Sequence, residues 1–227
     1  MIPTDVKRVA ILTGAGMSTE SGIPDFRSET GLWQSFRPEE VASVQALSNH
    51  PDVFQSFYRE RIKKLETIEP HVGHRLMKQL EEQGKLHMLA TQNVDGLHQQ
   101  AGNENVLELH GNIQTIRCHA CETSHDLGAF MQGDHCRVCG GMLRPNVVLF
   151  GEMLPLDVWG EAIQKIEEAD CLIVIGTSMQ VSPVNQLPGY ARGYTIYINH
   201  ESSEYPFDKW MEMSASEGMQ QLMDRWA

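Results

Sequence analysis

The sequence has no long hydrophobic run, few basic residues and only a handful of cysteines, and each shortage excludes a class of protein. Its longest uninterrupted apolar stretches fall well short of the ~20 residues that a bilayer-spanning helix needs, so no membrane segment is expected. Lysine and arginine number 18 in 227 residues against 30 aspartates and glutamates, a net charge of −12. A mostly negative outer field repels phosphate backbones, so nucleic acid is not an expected partner. The same field attracts basic polypeptide, although an acidic surface is also a common way to keep a protein soluble. The five cysteines cannot all pair, and the opening MIPTDVKRVA lacks a long apolar core followed by a small-residue cleavage site. Export and a disulfide framework are therefore not expected, and a cytoplasmic location is.

What is present reads as a globular chain. An apolar fraction of 41% is ordinary for a packed protein. The length corresponds to roughly one and a half domains at about 150 residues each. Apolar or alternating stretches at Val9–Thr13, Leu86–Thr91, Val106–Leu109, Asn146–Phe150, Leu172–Ile175 and Thr195–Ile198 read as strands. Helical periodicity covers about 38–65, with a break at Pro51, then 74–83 and 157–169, and a helix is expected to open after Gly16 with Ser18, Thr19 and Ser21 as available caps. Strand-then-helix units with buried, parallel-type strands imply an α/β fold with a doubly wound sheet. Residues 1–30, 74–113 and 147–227 would form this larger, Rossmann-like domain. A helical insertion at 31–73 and a cysteine-bearing ribbon at 114–146 would form a smaller one.

Cys118 and Cys121 make one C-x-x-C pair, Cys136 and Cys139 another. The two-residue gaps let both thiolates of a pair reach one tetrahedral ion at about 2.3 Å, and the intervening loop returns the second pair to complete a four-sulfur site. A redox dithiol would need a single pair at the start of a helix in a βαβ unit, which is not the context here. With every position filled by cysteine, no coordination site is left for water, so one structural Zn2+ per chain is expected. Cys171, in the run ADCLIVIGTS, reads as a core residue of a buried strand.

VAILTGAGMSTESG sets a strand before Gly14 and Gly16, the context of a dinucleotide-binding loop. Thr19 stands where the third glycine of that fingerprint would be, so a tight strand-to-helix turn without a ligand fits the loop nearly as well. A second small-residue turn, Gly176, Thr177 and Ser178, suits a phosphate or a ribose and shifts the balance toward a dinucleotide. Polar residues gather at other strand ends: Asp25, Phe26 and Arg27 after Pro24; Gln92, Asn93, Asp95 and His98 after Leu86–Ala90; and His110 after Val106–Leu109. A cleft at the carboxyl ends of the strands is where a ligand is expected.

GAGMSTESGIPDFR, TQNVDGLH, LELHGN, the two C-x-x-C pairs, RPNVVLFGE, GTSMQVSPV and INHE occur in this order. Together, from about Val9 to at least Glu201, they resemble the sirtuins, NAD-dependent protein lysine deacylases. The resemblance implies that NAD is consumed as a co-substrate. An acyl-lysine amide oxygen attacks the nicotinamide ribose, nicotinamide leaves, and the products are free lysine and O-acyl-ADP-ribose. His110 would be the general base toward a ribose hydroxyl, a task suited to an imidazole with an ordinary pKa near 6.5. Asn93 and Asp95 would hold the ribose and the nicotinamide carboxamide, and Gln92 the ribose hydroxyls. Phe26 would cover the reacting ribose, with Asp25 beside it, and Arg27 would meet the phosphates. Gly14, Ala15 and Gly16 match the pyrophosphate loop, Gly176, Thr177 and Ser178 the second phosphate turn, and Asn199 the adenosine ribose.

By the same resemblance, the backbones of Val148, Phe150 and Gly151, with Met179–Val184, would bracket an extended acyl-lysine peptide as an added strand. Tyr58 and Arg61 share a helix face and match the Tyr-x-x-Arg with which some sirtuins bind the carboxylate of succinyl- or malonyl-lysine. Asp25 is at odds with that group, whose members tend to have Thr there, so acetyl is the first expectation and succinyl or malonyl the second. A monomer is expected. Two other classes stay in view: an NAD-dependent mono-ADP-ribosyltransferase and a nonenzymatic zinc-ribbon binding module.

Overall fold

The computed structural model describes residues 1–26, 31–34 and 37–226, and for Trp33 the backbone alone. Its strands are β1 (Val9–Thr13), β2 (Leu86–Thr91), β3 (Val106–Glu108), β4 (Gly111–Cys118), β5 (Ser124–His125), β6 (Leu143–Val147), β7 (Cys171–Ile175), β8 (Tyr194–Ile198) and β9 (Lys209–Met211). Its helices are α1 (Pro38–Val41), α2 (Val44–Asn49), α3 (Pro51–Leu65), α4 (Val72–Glu82), α5 (Leu97–Gln100), α6 (Leu127–Gln132), α7 (Leu156–Glu168) and α8 (Ala215–Trp226).

A six-stranded sheet runs in the order β3-β2-β1-β7-β8-β9, with every pairing parallel. All five residues of β1 and of β7 are buried. Successive side chains of a strand point to opposite faces. Val9, Ile11, Ile173 and Ile175 accordingly pack with Leu76, Met77 and Leu80 of α4 and Met219, Leu222 and Trp226 of α8. Ala10, Leu12, Leu172 and Val174 pack with Trp159, Ala162 and Ile166 of α7. Helices on both faces explain why these strands read as continuous apolar runs.

A second, antiparallel sheet has the order β5-β4-β6. Its apolar side shares one core with the helices that precede β2: Val41, Leu47, Phe54, Phe57 and Ile62 meet Ile113, Ile116, Phe130 and Leu143. The chain passes from the first sheet to the second through just two residues, Leu109 and His110, which separate β3 from β4, and returns from β6 to β7 by way of α7. At the junction Gly111 has φ +76°, and a Cβ there would lie 2.0 Å from the Asn146 carbonyl oxygen.

Several elements differ from expectation. After Gly14 the chain forms tight 3₁₀ turns over Ala15–Ser21, and Gly14 at their start has no side-chain cap. The three hydroxyls expected as caps do not serve as such; Ser18 bonds Asp95 and Thr19 bonds the Gly16 carbonyl. The helical stretch from Pro38 breaks at Ala42 as well as at Pro51, because Ser43 Oγ accepts the Ala46 N–H and starts α2 afresh. Asn146–Phe150 is not a strand of the parallel sheet: Asn146 and Val147 pair with Asn112 and Gly111 as the end of β6. β4, β9 and α8 were not anticipated. No helix among the described residues is long and apolar enough to cross a membrane.

Candidate active site

A cavity of about 720 Å³ opens at the carboxyl ends of the central parallel strands, between the two sheets. Its walls include Ala15, Gly16, Asp25, Phe26, Tyr58, Arg61, Gln92, Asn93, His110, Val148, Phe150, Gly151, Gly176, Thr177, Ser178 and Asn199, which brings most of the sequence-derived candidates to one place. Gly14 and Asp95 lie behind this lining, and Arg27 lies outside the described residues.

The two glycine turns are bonded to each other. The Gly14 N–H donates to the Ile175 carbonyl (2.9 Å) and the Gly16 N–H to the Gly176 carbonyl (2.7 Å). A Cβ on Gly14 would sit 2.6 Å from Thr177 Cβ, and one on Gly176, whose φ is +61°, would sit 2.3 Å from the Met17 nitrogen. These glycines are required first by turn-on-turn contact. Thr19, at the third position of the fingerprint, is exposed and donates its hydroxyl to the Gly16 carbonyl, so no glycine is needed there. Below the second turn, Tyr197 Oη donates to the Thr177 carbonyl (2.7 Å), and Asn199 Nδ2 donates to Tyr197 Oη (2.6 Å).

A buried polar chain underlies the first turn. Asn93 Nδ2 donates to the Gly14 carbonyl (3.0 Å) and to Ser18 Oγ (3.1 Å), and Ser18 Oγ donates to Asp95 Oδ2 (2.8 Å). Asp95 Oδ1 accepts the Leu97 N–H (3.0 Å). Both hydrogens of the Asn93 amide are thereby used, and its Oδ1 makes no hydrogen bond among the described residues. Burial raises the Asp95 pKa above the usual carboxylate value. The role of Ser18 is not legible in local sequence, because it depends on the β2 end approaching from 77 residues away.

His110 lies beside this chain. Its Nδ1 is 3.2 Å from the Gln92 carbonyl oxygen, an acceptor, so the proton belongs on Nδ1 and Nε2 is left as a base. Burial lowers the imidazole pKa more than that hydrogen bond raises it. On the opposite wall the Arg61 guanidinium lies 5.6 Å from the ring centres of both Phe26 and Phe57. Tyr58 is buried, and burial pushes its phenol up to about 12.

Residues 14–183 match the Sir2 family. The chain belongs to that family. It is 46% identical over 202 residues to the NAD-dependent protein deacetylase 1 of Geobacillus kaustophilus, covering 87% of this chain and 84% of that one. It is 42% identical over 211 residues to the NAD-dependent protein deacetylase of Oceanobacillus iheyensis, covering 91% and 89%. A solved Sir2 homologue in complex with ADP-ribose superposes with a TM-score of 0.93 at 38% identity, covering 98% of this chain and 93% of that one.

In this Sir2 protein the proposed peptide edge is narrower than the sequence implied. The Val148 N–H is bonded to the His110 carbonyl, and both backbone groups of Phe150 are bonded, its N–H to Ala42 and its carbonyl to Val44. The Val148 carbonyl and both backbone groups of Gly151 make no hydrogen bond among the described residues. The edge available to a ligand is thus Val148 and Gly151, with Phe150 offering its half-exposed ring.

The sulfurs of Cys118, Cys121, Cys136 and Cys139 all lie within 4.8 Å of one another. Neighbouring pairs are 3.4 to 3.6 Å apart, far from a disulfide. Four thiolates about 2.3 Å from one tetrahedral ion would be roughly 3.8 Å apart, so the cluster fits zinc. Backbone N–H groups of Ala120 and Val138 point at Cys118 and Cys136, as thiolate ligands require.

Beneath the Sir2 glycine turn lie three histidine rings. The His71 and His74 ring centres are 4.4 Å apart, those of His74 and His98 4.8 Å. Both ring nitrogens of His74 are buried without a partner among the described residues. Burial, then the neighbouring histidine charges, push His74 down to about 2 and His98 to about 3. Below about pH 6.5 the unfolded chain therefore binds protons that the native state refuses, so stability present above that pH is lost as pH falls. Together the pair steepens this loss of stability, each ring adding up to about one proton to the uptake on unfolding. His74→Leu is expected to remove about half of the pair's contribution, as read from urea unfolding at several pH values below 6. An unaltered slope would refute this assignment.

Proposed function

We propose that the chain is an NAD-dependent protein lysine deacylase, acting on acetyl-lysine first and yielding nicotinamide, O-acyl-ADP-ribose and free lysine. The observation that carries this reading is His110, held by Gln92 with Nε2 unprotonated, on the wall of the same cavity as the paired glycine turns. The cavity is of a size for a dinucleotide, and the turns leave no room for side chains where phosphates would lie. NAD, when bound, supplies an activated ribose carbon and the ribose hydroxyls.

Ala15, Gly16, Gly176, Thr177 and Ser178 would hold the phosphates, and Asn199 the adenosine ribose. Asn93 Oδ1 and Asp95 would orient the nicotinamide end, Phe26 would exclude water from the reacting ribose, and His110 Nε2 would accept a hydroxyl proton. The smaller sheet would carry one structural zinc. A monomeric, cytoplasmic protein with no nucleic-acid partner completes the reading, the last supported by the charge of −12. Light scattering after size exclusion checks the first.

A second reading, removal of succinyl or malonyl groups, is favoured by one observation. Tyr58 and Arg61 both line the cavity and influence each other electrostatically, and among the described residues neither polar group makes a hydrogen bond or a close ion pair. A guanidinium between two aromatic rings suits a carboxylate.

Mass spectrometry of products from NAD with acetyl and succinyl versions of one peptide tests both readings. O-acetyl-ADP-ribose formed one for one with freed lysine is the expected result. ADP-ribose left on protein would favour the transferase class, and unconsumed NAD the binding module. Arg61→Ala is expected to lower the succinyl rate about 10- to 100-fold and the acetyl rate less. An unchanged succinyl rate would remove the carboxylate reading.

A further inference from the structure

The motif RPNVVLFGE contains two charged residues that the reaction as described does not use, Arg144 and Glu152. Arg144 sits on β6, the strand that follows the last cysteine of the cluster, and its side chain is fully buried. Its guanidinium is forked onto one carboxylate: Nη1 donates to Glu152 Oε1 (2.5 Å) and Nη2 to Glu152 Oε2 (3.0 Å). Nη2 also donates to the Val147 carbonyl (2.6 Å), and Nε to the Pro145 carbonyl (3.3 Å). Glu152 Oε2 in turn accepts the Leu149 N–H (2.8 Å), and Arg117 stands 3.7 Å from Oε1.

These bonds tie both ends and the middle of segment 145–152 to one ion pair, whose arginine is buried and whose glutamate is partly exposed. After Val147 that segment leaves the strand, and its one bridge is that of Phe150 to Ser43. It carries the Val148 carbonyl and the Gly151 backbone, on two residues that line the cavity, and its Val148 N–H is bonded to the His110 carbonyl. Stability alone is a weak reason for such a pair, since apolar residues of similar volume often replace a buried ion pair at no loss. A bidentate fork instead fixes geometry, and here the thing fixed is the edge against which a peptide would lie.

We propose that Arg144 and Glu152 are positioning residues that set the acyl-peptide edge and reference it to the cysteine-bound sheet. The proposal rests on the deacylase reading above. Glu152→Gln keeps the shape but removes the charge and one acceptor. It is expected to raise KM for an acetyl-peptide at least 10-fold while KM for NAD stays within about threefold, and kcat falls less than the peptide KM rises.

The double variant Arg144→Met/Glu152→Leu separates positioning from folding. It is expected to recover the thermal midpoint lost in Glu152→Gln and to retain one zinc per chain, yet to keep the raised peptide KM. Recovery of the peptide KM together with stability would show a purely structural pair and overturn the proposal. So would an unchanged peptide KM in Glu152→Gln. Glu152→Asp keeps the charge one methylene short and provides the same comparison if Glu152→Gln does not fold. Failure of the deacylase reading looks different, because the unmodified protein would then release no nicotinamide in response to acyl-peptide.

Discussion

His110→Ala is expected to lower kcat/KM for deacylation by about 10³-fold, within the 10²- to 10⁴-fold range of a lost general base, and to leave NAD affinity within about threefold. The expectation follows from the bonding of the ring. One nitrogen is committed to the Gln92 carbonyl, and the other faces the cavity unprotonated. Of the other histidines near the glycine turns, His98 is engaged with Thr13 Oγ1 at 3.0 Å and His74 is sealed in the layer beneath, while His200 lines the cavity at the end of β8, beside Asn199. Since burial holds His110 below its ordinary pKa, the base is already neutral under mildly acidic conditions. The acid limb of kcat/KM should therefore lie below pH 6.5 and vanish with the ring. Stopped assays with acetyl-peptide and NAD across pH 5 to 8, alongside NAD binding by calorimetry, measure both quantities. An alanine variant within tenfold of the parent would remove His110 from the catalytic role.

The second large effect is removal of zinc. Structural zinc in small ribbons is worth roughly 10 kcal/mol or more at neutral pH, and little in the 119–142 stretch replaces it. β5 has two residues and α6 six, and Cys118 and Cys136 are themselves part of the core that includes Phe54, Phe57 and Tyr58. Losing the metal therefore loosens the wall of the cavity that carries Tyr58 and Arg61. Chelation, or Cys139→Ser, is expected to abolish deacylation while the parallel sheet, whose cores share no residue with the ribbon, keeps its far-ultraviolet signature. Metal analysis with circular dichroism decides the matter. Full activity at less than a tenth of a zinc per chain would show the cluster to be dispensable.

Much of this was legible beforehand, for identifiable reasons. β1 and β7 are continuous apolar runs because both faces of the sheet are covered, and glycines follow them because the turns press together. The cysteine spacing carried its own geometry. α8 is also readable, since Met219, Leu222, Met223 and Trp226 repeat at helical spacing, although it lies beyond the last motif. β9 was not readable: two of its three residues are exposed at the sheet edge, so no periodicity survives. The direction of β6 was hidden for a different reason, since an apolar strand does not say whether its neighbour runs with it or against it. The partnership of Ser18 with Asp95, and of Arg144 with Glu152, depends on which loops meet, which local pattern does not encode.

The two-residue bridge of Leu109 and His110 has a mechanical corollary. Because Gly111 is pressed against the Asn146 carbonyl and Val148 hangs from the His110 carbonyl, the imidazole is mounted on the seam where one sheet passes into the other. Prising the sheets apart cannot leave that ring in place. Whatever shifts one sheet against the other therefore moves the base relative to the glycine turns, even where it touches neither the nucleotide nor the acylated lysine.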